Sequence, residues 1–174
     1  MERTYKAFEV DKVVPLKNKD YYWFLLSQIK KAQNRIWASV FLIDVYRSSD
    51  ILLEVRTLIK ELAIARTRGL DIRLITGRAA DNPVIREMNM VSRSFMRSKG
   101  FRLKFYGNER KPRIHDKFII FDDQLFIIGS HNWMHESFNN SLEDSLAVYS
   151  RDLTNRLEIE FLETWQNLKG KQAP

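Results

Sequence analysis

Two short apolar runs joined by a polar turn constrain the fold of this chain more than any other feature. Residues 114–121 (IHDKFIIF) and 125–129 (LFIIG) are each long enough for one strand. The three residues between them, Asp122-Asp123-Gln124, are typical of a tight turn, so the pair predicts a β-hairpin. Such a hairpin brings the start of its first strand and the end of its second strand to one edge of the sheet.

Polar side chains cluster at that edge. Side chains two positions apart on a strand share a face, so His115 and Lys117 are expected to point toward one pocket. Ser130 and Asn132 can reach the same pocket from the second strand. An imidazole can attack phosphorus, while a cation, a hydroxyl and an amide can stabilise the charge that grows on phosphate oxygens. The spacing H-x-K-x4-D-x6-G-S-x-N therefore predicts a site that attacks a phosphodiester without a metal.

Helices and strands alternate along the rest of the chain. Apolar residues at helical spacing predict helices that begin near Asp20, near Ser49 or Asp50, near Asp81 and at Asp152. Short apolar stretches predict further strands at residues 35–43, 71–76, 101–106 and 146–149. This order predicts one catalytic domain over residues 1–174, of fold class α/β. We expect an α/β/α sandwich with a mixed, mostly parallel central sheet flanked by helices.

Composition narrows the partners and the compartment. The 174 residues carry a net charge of +7, which favours polyanions, with nucleic acid before an anionic membrane surface. The chain has no cysteine, starts without an apolar leader and contains no long apolar run, so we expect a cytoplasmic protein without stable membrane insertion. Basic residues just before the motif are expected to bind the nucleic-acid backbone: Lys104, Arg110, Lys111 and Arg113.

The chain resembles the phospholipase D superfamily, and most closely its small bacterial endonucleases that carry one such motif per chain. The resemblance is strongest over residues 114–132 and extends from about Tyr21 to Trp165. The resemblance implies that His115 is the nucleophile and forms a phosphohistidine intermediate, with no metal or other cofactor. It also implies which groups bind the phosphate, namely Lys117, Ser130 and Asn132. Asp122 would support the site structurally and would not touch the substrate. The expected substrate is DNA or RNA.

The family also places an acid after the G-S-x-N element, where it hydrogen-bonds to the catalytic histidine. Glu143 is the best match, because the strand predicted at residues 146–149 then follows as expected, and Asp144 is the next candidate. The asparagine that the family often carries two residues before this acid is replaced here by Ser141.

The expected chemistry uses two histidines, one to attack phosphorus and one to protonate the leaving oxygen. The motif occurs once in this chain, although larger members of the family carry it twice. An isologous homodimer supplies the second histidine if the two motifs meet at the two-fold axis, with His115 contributed by each copy.

Three alternatives remain open. The same chemistry fits a phospholipase D or phosphatidyl transferase that acts on lipids, and a dormant site would leave only a nucleic-acid-binding module. Zinc could be held by His131 and His135, which lie four residues apart, together with His115. Because His131 occupies the variable position of G-S-x-N at a strand end, where helical spacing does not apply, we expect no metal.

Overall fold

The computed structural model of the protein describes residues 6–45, 53–77, 82–106 and 114–168. In chain order the elements are β1 (Lys12–Lys17), α1 (Asn18–Lys31), β2 (Arg35–Val40), α2 (Leu53–Thr67), β3 (Asp71–Gly77), α3 (Pro83–Ser98), β4 (Arg102–Tyr106), β5 (Lys117–Phe121), β6 (Leu125–Gly129), α4 (His135–Asn139), β7 (Asp144–Tyr149) and α5 (Arg151–Asn167).

The central sheet is mixed, as predicted. Over the described ranges it has seven strands in the order β1-β7-β6-β5-β2-β3-β4. The β2–β3 and β3–β4 pairs are parallel, whereas every other neighbouring pair is antiparallel. Most strands therefore run in one direction, and β5 and β7 run against them. Although most strands share a direction, most neighbouring pairs are antiparallel, because the hairpin inserts β5 between β2 and β6.

The predicted hairpin is present and positions the motif. β5 and β6 pair from Phe118↔Ile128 to Phe121↔Leu125, and the turn residue Asp122 adopts a left-handed φ of 51°. An aspartate tolerates this conformation better than most residues do. The strand begins later than predicted, at Lys117, so His115 lies just before it.

Helices cover both faces of the sheet, as expected for the sandwich. Consecutive side chains of β5 enter different apolar cores on the two faces of the sheet: Ile119 packs with α1 and α2, whereas Ile120 packs with Phe161 of α5. Each of these three side chains is no more than 1% exposed. Burial of a large apolar side chain contributes about 1.5–3 kcal/mol, so β5 is anchored from both sides.

Two elements lie outside the predictions, and one predicted cap is wrong. β1 was not predicted because Pro15 interrupts its sequence; it fits there because β1 is an edge strand with a single partner. The short helix α4 was also not predicted. Ser150, not Asp152, caps α5, since its Oγ accepts a hydrogen bond from the Leu153 amide at 3.4 Å. Two other predicted helix starts, Ser49 or Asp50 and Asp81, lie outside the described residues.

Asp122 ties the hairpin turn to the loop between α1 and β2. Its carboxylate accepts hydrogen bonds from the amides of Gln33 at 3.1 Å, Asn34 at 2.7 Å and Arg35 at 3.1 Å. The side chain of Arg35 also donates to the Asp122 carbonyl oxygen at 2.9 Å. These contacts join segments 87 to 89 residues apart in the chain, and they hold β5 in register beside β2.

Substitution of Asp122 tests this connection. We expect Asp122→Ala to lower the free energy of unfolding by about 3 kcal/mol, because it leaves charge-assisted amide contacts unmade and puts alanine in the left-handed region. Urea denaturation measures the loss. The control is Asp123→Ala, which removes only an exposed 3.1 Å ion pair with Arg151 and should cost less than about 1 kcal/mol. Equal losses in the two variants would contradict the proposed anchor.

Candidate active site

The side chains of His115 and Lys117 lie in direct contact at the start of β5, as their predicted common face requires. Nζ of Lys117 is 2.9 Å from Nδ1 and 3.2 Å from Nε2 of His115, and it donates to the His115 carbonyl oxygen at 2.8 Å. The ring of Phe41, just after β2, packs against this pair: its centroid lies 5.0 Å from that of the imidazole and 5.6 Å from Nζ. His115 itself is exposed and open to a ligand.

Lys117 is a buried cation. It lies two positions before Ile119, which packs on the α1 side of the sheet, and the residue is only 9% exposed. Burial lowers the pKa of the ammonium, and the negative charges of Glu143 and Asp116 oppose that shift. A cation kept in such a place is costly unless an anion joins it. The site therefore favours an anionic ligand beside Lys117.

The G-S-x-N element lies where β6 ends, next to β7. A side chain at Gly129 would collide with the backbone of Ser145, since its Cβ would come 2.4 Å from the Ser145 Cα, so glycine allows the two strands to approach. Ser130 is exposed; its hydroxyl accepts from the Asp144 amide at 3.1 Å. Asn132 accepts from the Leu42 amide through Oδ1 at 3.1 Å, which turns its NH2 group away from that backbone.

Glu143 lies close enough to the pair to influence Lys117, but its carboxylate does not bond to His115. Among the described residues its hydrogen-bond donor is the hydroxyl of Ser137, at 3.2 Å from Oε1. The expected contact with His115 is absent in the single protomer, where both nitrogens of the imidazole lie against the Lys117 ammonium. The acid thus acts on Lys117 through its charge.

Asp116 lies on the opposite side of β5, as the alternation of side chains predicts. Here a cavity of about 380 Å³ opens beside His115, between the sheet and α5, and Asp116 lines it together with Glu160. Burial raises the pKa of Asp116, and Glu160 adds to this, while the charges of Lys117 and His115 oppose it. His115 and Lys117 also line this cavity, so both motif side chains border it.

Of the predicted basic contacts, Lys104 lies within the described residues and bonds to α5. Lys104 donates to the carbonyl oxygen of Trp165 near the end of α5, and its Nζ lies 4.8 Å from the centre of the Trp165 ring. This arrangement suits a cation at a helix C-terminus. The other three predicted residues, Arg110, Lys111 and Arg113, lie outside the described residues.

The three histidines do not form a metal site. His131 is fully buried, stacks on Tyr21 with ring centroids 4.2 Å apart, and places Nδ1 2.7 Å from the Ser145 hydroxyl. His135 lies 3.2 Å from the Glu54 carboxylate instead. Over the described ranges, no group of three or more candidate ligands is arranged to hold a metal ion.

Several residues that contact the predicted site could not be identified from the spacing of the motif. Phe41 packs against the His115–Lys117 pair, Ser137 holds the Glu143 carboxylate, and Asn18 contacts the backbone of Glu143. Asn18 and Phe41 come from distant parts of the chain, so local spacing carries no information about them. Ser137 lies on α4, which was itself not predicted.

The fold and the motif place the chain among known proteins. Residues 25–165 match the family described as cardiolipin synthase, PLD-like domain, and the chain belongs to this phospholipase D-like family. Cardiolipin synthase 1 of Staphylococcus aureus strain COL is 26% identical over 118 residues, which make up 68% of this chain and 23% of that protein. The chain thus spans about a quarter of the length of the curated relatives that it matches.

Two solved structures share the fold over nearly their whole length. The phospholipase D family member Nuc from Salmonella typhimurium superposes with a TM-score of 0.73 at 17% identity, covering 89% of this chain and 94% of that chain. NucT from Helicobacter pylori gives a TM-score of 0.71 at 15% identity, with 89% and 96% covered. These likenesses confirm the predicted phospholipase D-like sandwich.

Replacement of Lys117 by methionine tests whether the buried cation is kept at a cost in stability. We expect Lys117→Met to raise the free energy of unfolding by about 1 kcal/mol at pH 7, a typical trade-off at a functional site. Since the folded-state pKa lies below the ordinary 10.5, the unfolded chain binds more protons between the two values. Wild-type stability therefore rises with pH there, and the advantage of the variant disappears above that window.

Urea denaturation from pH 7 to pH 11 measures this difference. The matched control is Lys104→Met, which loses the contacts with Trp165 and should be destabilised by about 1 kcal/mol. A loss of stability for Lys117→Met as large as that of the control would show that Lys117 has a structural role.

Proposed function

We propose that the protein is a metal-independent phosphodiesterase of the phospholipase D type that hydrolyses nucleic acid. The observation that carries the proposal is the contact between an exposed imidazole and a buried ammonium, with Nζ 2.9 Å from Nδ1 of His115. The ammonium supplies fixed positive charge for a phosphate, and the exposed ring supplies a nucleophile beside it. The NH2 group of Asn132 and the hydroxyl of Ser130 provide further donors at the same edge.

The reaction proceeds in two displacements at phosphorus. In the first, a nitrogen of His115 forms a bond to phosphorus, the bond to the leaving oxygen breaks, and His115 of the second copy donates a proton to that oxygen. In the second, the same partner imidazole takes a proton from water, whose oxygen bonds to phosphorus as the P–N bond breaks. Lys117 and Asn132 stabilise the non-bridging oxygens in both steps.

A homodimer completes the site in this proposal. An exposed apolar strip runs beside the cavity at His115 on the α5 side of the sheet, where Ile128 of β6 pairs with Leu146 of β7. The two side chains are 41% and 44% exposed, and Val13 of β1, 43% exposed, extends the strip. A surface of this kind is suited to self-association, and its position next to His115 allows the two imidazoles to face one another.

Nucleic acid is the substrate that the charge and the motif favour. The net charge of +7 attracts a polyanion without regard to sequence. The motif resembles that of the small one-motif endonucleases, and the superposition with Nuc covers 89% of this chain and 94% of that chain. No helix in the described ranges has the length and apolar character to span a bilayer.

Removal of the nucleophile tests the activity. Wild-type protein is expected to cleave labelled DNA or RNA in excess EDTA, and His115→Ala should lower the rate by at least about 10³-fold. The matched control is His135→Ala, whose imidazole contacts Glu54 away from the site and should leave the rate within about two-fold. A phosphorylated His115 trapped by acid quench would identify the intermediate. No cleavage of any single- or double-stranded nucleic acid would contradict the proposal.

A second candidate is a phosphatidyl transferase. It is favoured by sequence identity with proteins named cardiolipin synthase, 26% and 27% in two of them. Vesicles that contain phosphatidylglycerol distinguish the two substrates under the same EDTA conditions. Formation of a lipid product at a rate above that of nucleic-acid cleavage would favour the transferase.

Mixing experiments test the shared site. If one composite site needs both copies of His115, heterodimers with His115→Ala are inactive, and exchange with an equal amount of that variant should reduce wild-type activity to about half. Independent sites would leave the activity unchanged. In sedimentation, Leu146→Lys should shift the dimer toward monomer, whereas Val84→Lys, at another exposed apolar position on α3, should not. An active wild-type monomer would contradict the dimer.

A further inference from the structure

The backbone of Glu143 lies beyond the regular pairing of the sheet. The β1–β7 ladder ends where Lys17 pairs with Asp144, and Glu143 belongs to the loop between α4 and β7. Its neighbour Leu142 is fully exposed, at 99%, so the loop tip is not held by packing. A separate contact must therefore hold the backbone of Glu143 in place.

Asn18 supplies that contact. Its amide donates to the Glu143 carbonyl oxygen at 3.3 Å, and its side-chain Oδ1 accepts from the Glu143 amide, also at 3.3 Å. Its Nδ2 donates to the carbonyl oxygen of Ser141 at 2.6 Å. Asn18 thus extends the β1–β7 ladder by one residue pair and binds the loop at Ser141 and at Glu143. These residues lie 123 and 125 positions from Asn18 in the chain.

The conformation of Asn18 restricts the residue types that can do this. Its φ is 41°, in the left-handed region, at the point where β1 ends and α1 begins. Asparagine tolerates this region and offers both a donor and an acceptor. Glycine also tolerates the conformation but has no side chain, and aspartate keeps the acceptor but not the donor.

We propose that Asn18 is a positioning residue, which fixes the loop so that the Glu143 carboxylate faces Lys117 at the active site. The inference rests on the proposed function. Ser137 holds one carboxylate oxygen from α4, and Asn18 holds the backbone from the β1–α1 junction. The acid is thereby fixed at both ends, and Asn18 acts on the reaction only through it.

The charged groups around Lys117 make the pH dependence of activity sensitive to the position of Glu143. His115 contacts its ammonium, and the charges of Glu143 and Asp116 act on it; Glu143 has the largest opposing effect on the pKa of Lys117, which burial lowers. A displaced Glu143 would lower that pKa further. Lys117 would then lose its proton at a lower pH, so the alkaline limb of the activity profile should move to lower pH.

The experiment compares Asn18→Gly with wild type on a labelled oligonucleotide in excess EDTA. We expect kcat to fall about 10- to 100-fold with KM within about three-fold, because a displaced group affects the transition state more than binding. The alkaline limb should shift in the same direction as in Glu143→Gln and by no more than in that variant. The control is Asn34→Gly, an exposed loop substitution that should change neither.

Hydrogen exchange provides a readout that does not depend on activity. The Glu143 amide should exchange at least about ten times faster in Asn18→Gly than in wild type. Asn18→Asp is the second variant: it keeps the acceptor, so exchange should stay near wild type while kcat falls between wild type and Asn18→Gly.

Wild-type activity distinguishes the proposed function from the proposed role of Asn18. Failure of the wild type to cleave would overturn the proposed function. Wild-type cleavage together with Asn18→Gly and Asn18→Asp proteins whose kcat and alkaline limb match wild type would overturn the role of Asn18 alone.

Discussion

The arrangement of the active site depends on one constraint, which is that the ammonium of Lys117 is held out of water. The residue is 9% exposed at the start of a strand that lies in the interior of the sheet. Burial works against the charged form, and the carboxylate of Glu143 offsets only part of that cost. The contacts around Lys117 follow from this constraint: the ring of Phe41 packs beside the ammonium, and the imidazole of His115 lies against it.

The antiparallel insertion of β5 explains how the polar groups reach one edge. Along one row of the sheet Val40 pairs with Lys117 between β2 and β5, while Gly129 pairs with Ser145, and Ser145 with Leu16, across β6, β7 and β1. Because β5 starts where β6 ends, the H-x-K and G-S-x-N elements meet there. Glycine in the middle of the row lets β6 and β7 approach closely.

The same fold is shared with proteins that have different names and sizes, which include cardiolipin synthases and the Nuc and NucT chains. A fold of this kind fixes the geometry at phosphorus and leaves the substrate to the surfaces around the site. On this chain those surfaces are an exposed apolar strip beside His115, a cavity lined by Asp116 and Glu160, and a net positive charge. Charge favours nucleic acid, and the strip favours a second copy of the chain.

The sequence by itself determined the hairpin, the sandwich and the contact between His115 and Lys117, because strand and helix periodicity are local properties of the chain. Only the tertiary structure decided the edge strand β1, the burial of His131, the packing of Phe41 against the His115–Lys117 pair and the contact of Asn18 with Glu143. The last of these joins residues 125 positions apart. Such contacts depend on how distant elements pack, and neither spacing nor composition encodes which side chains then meet.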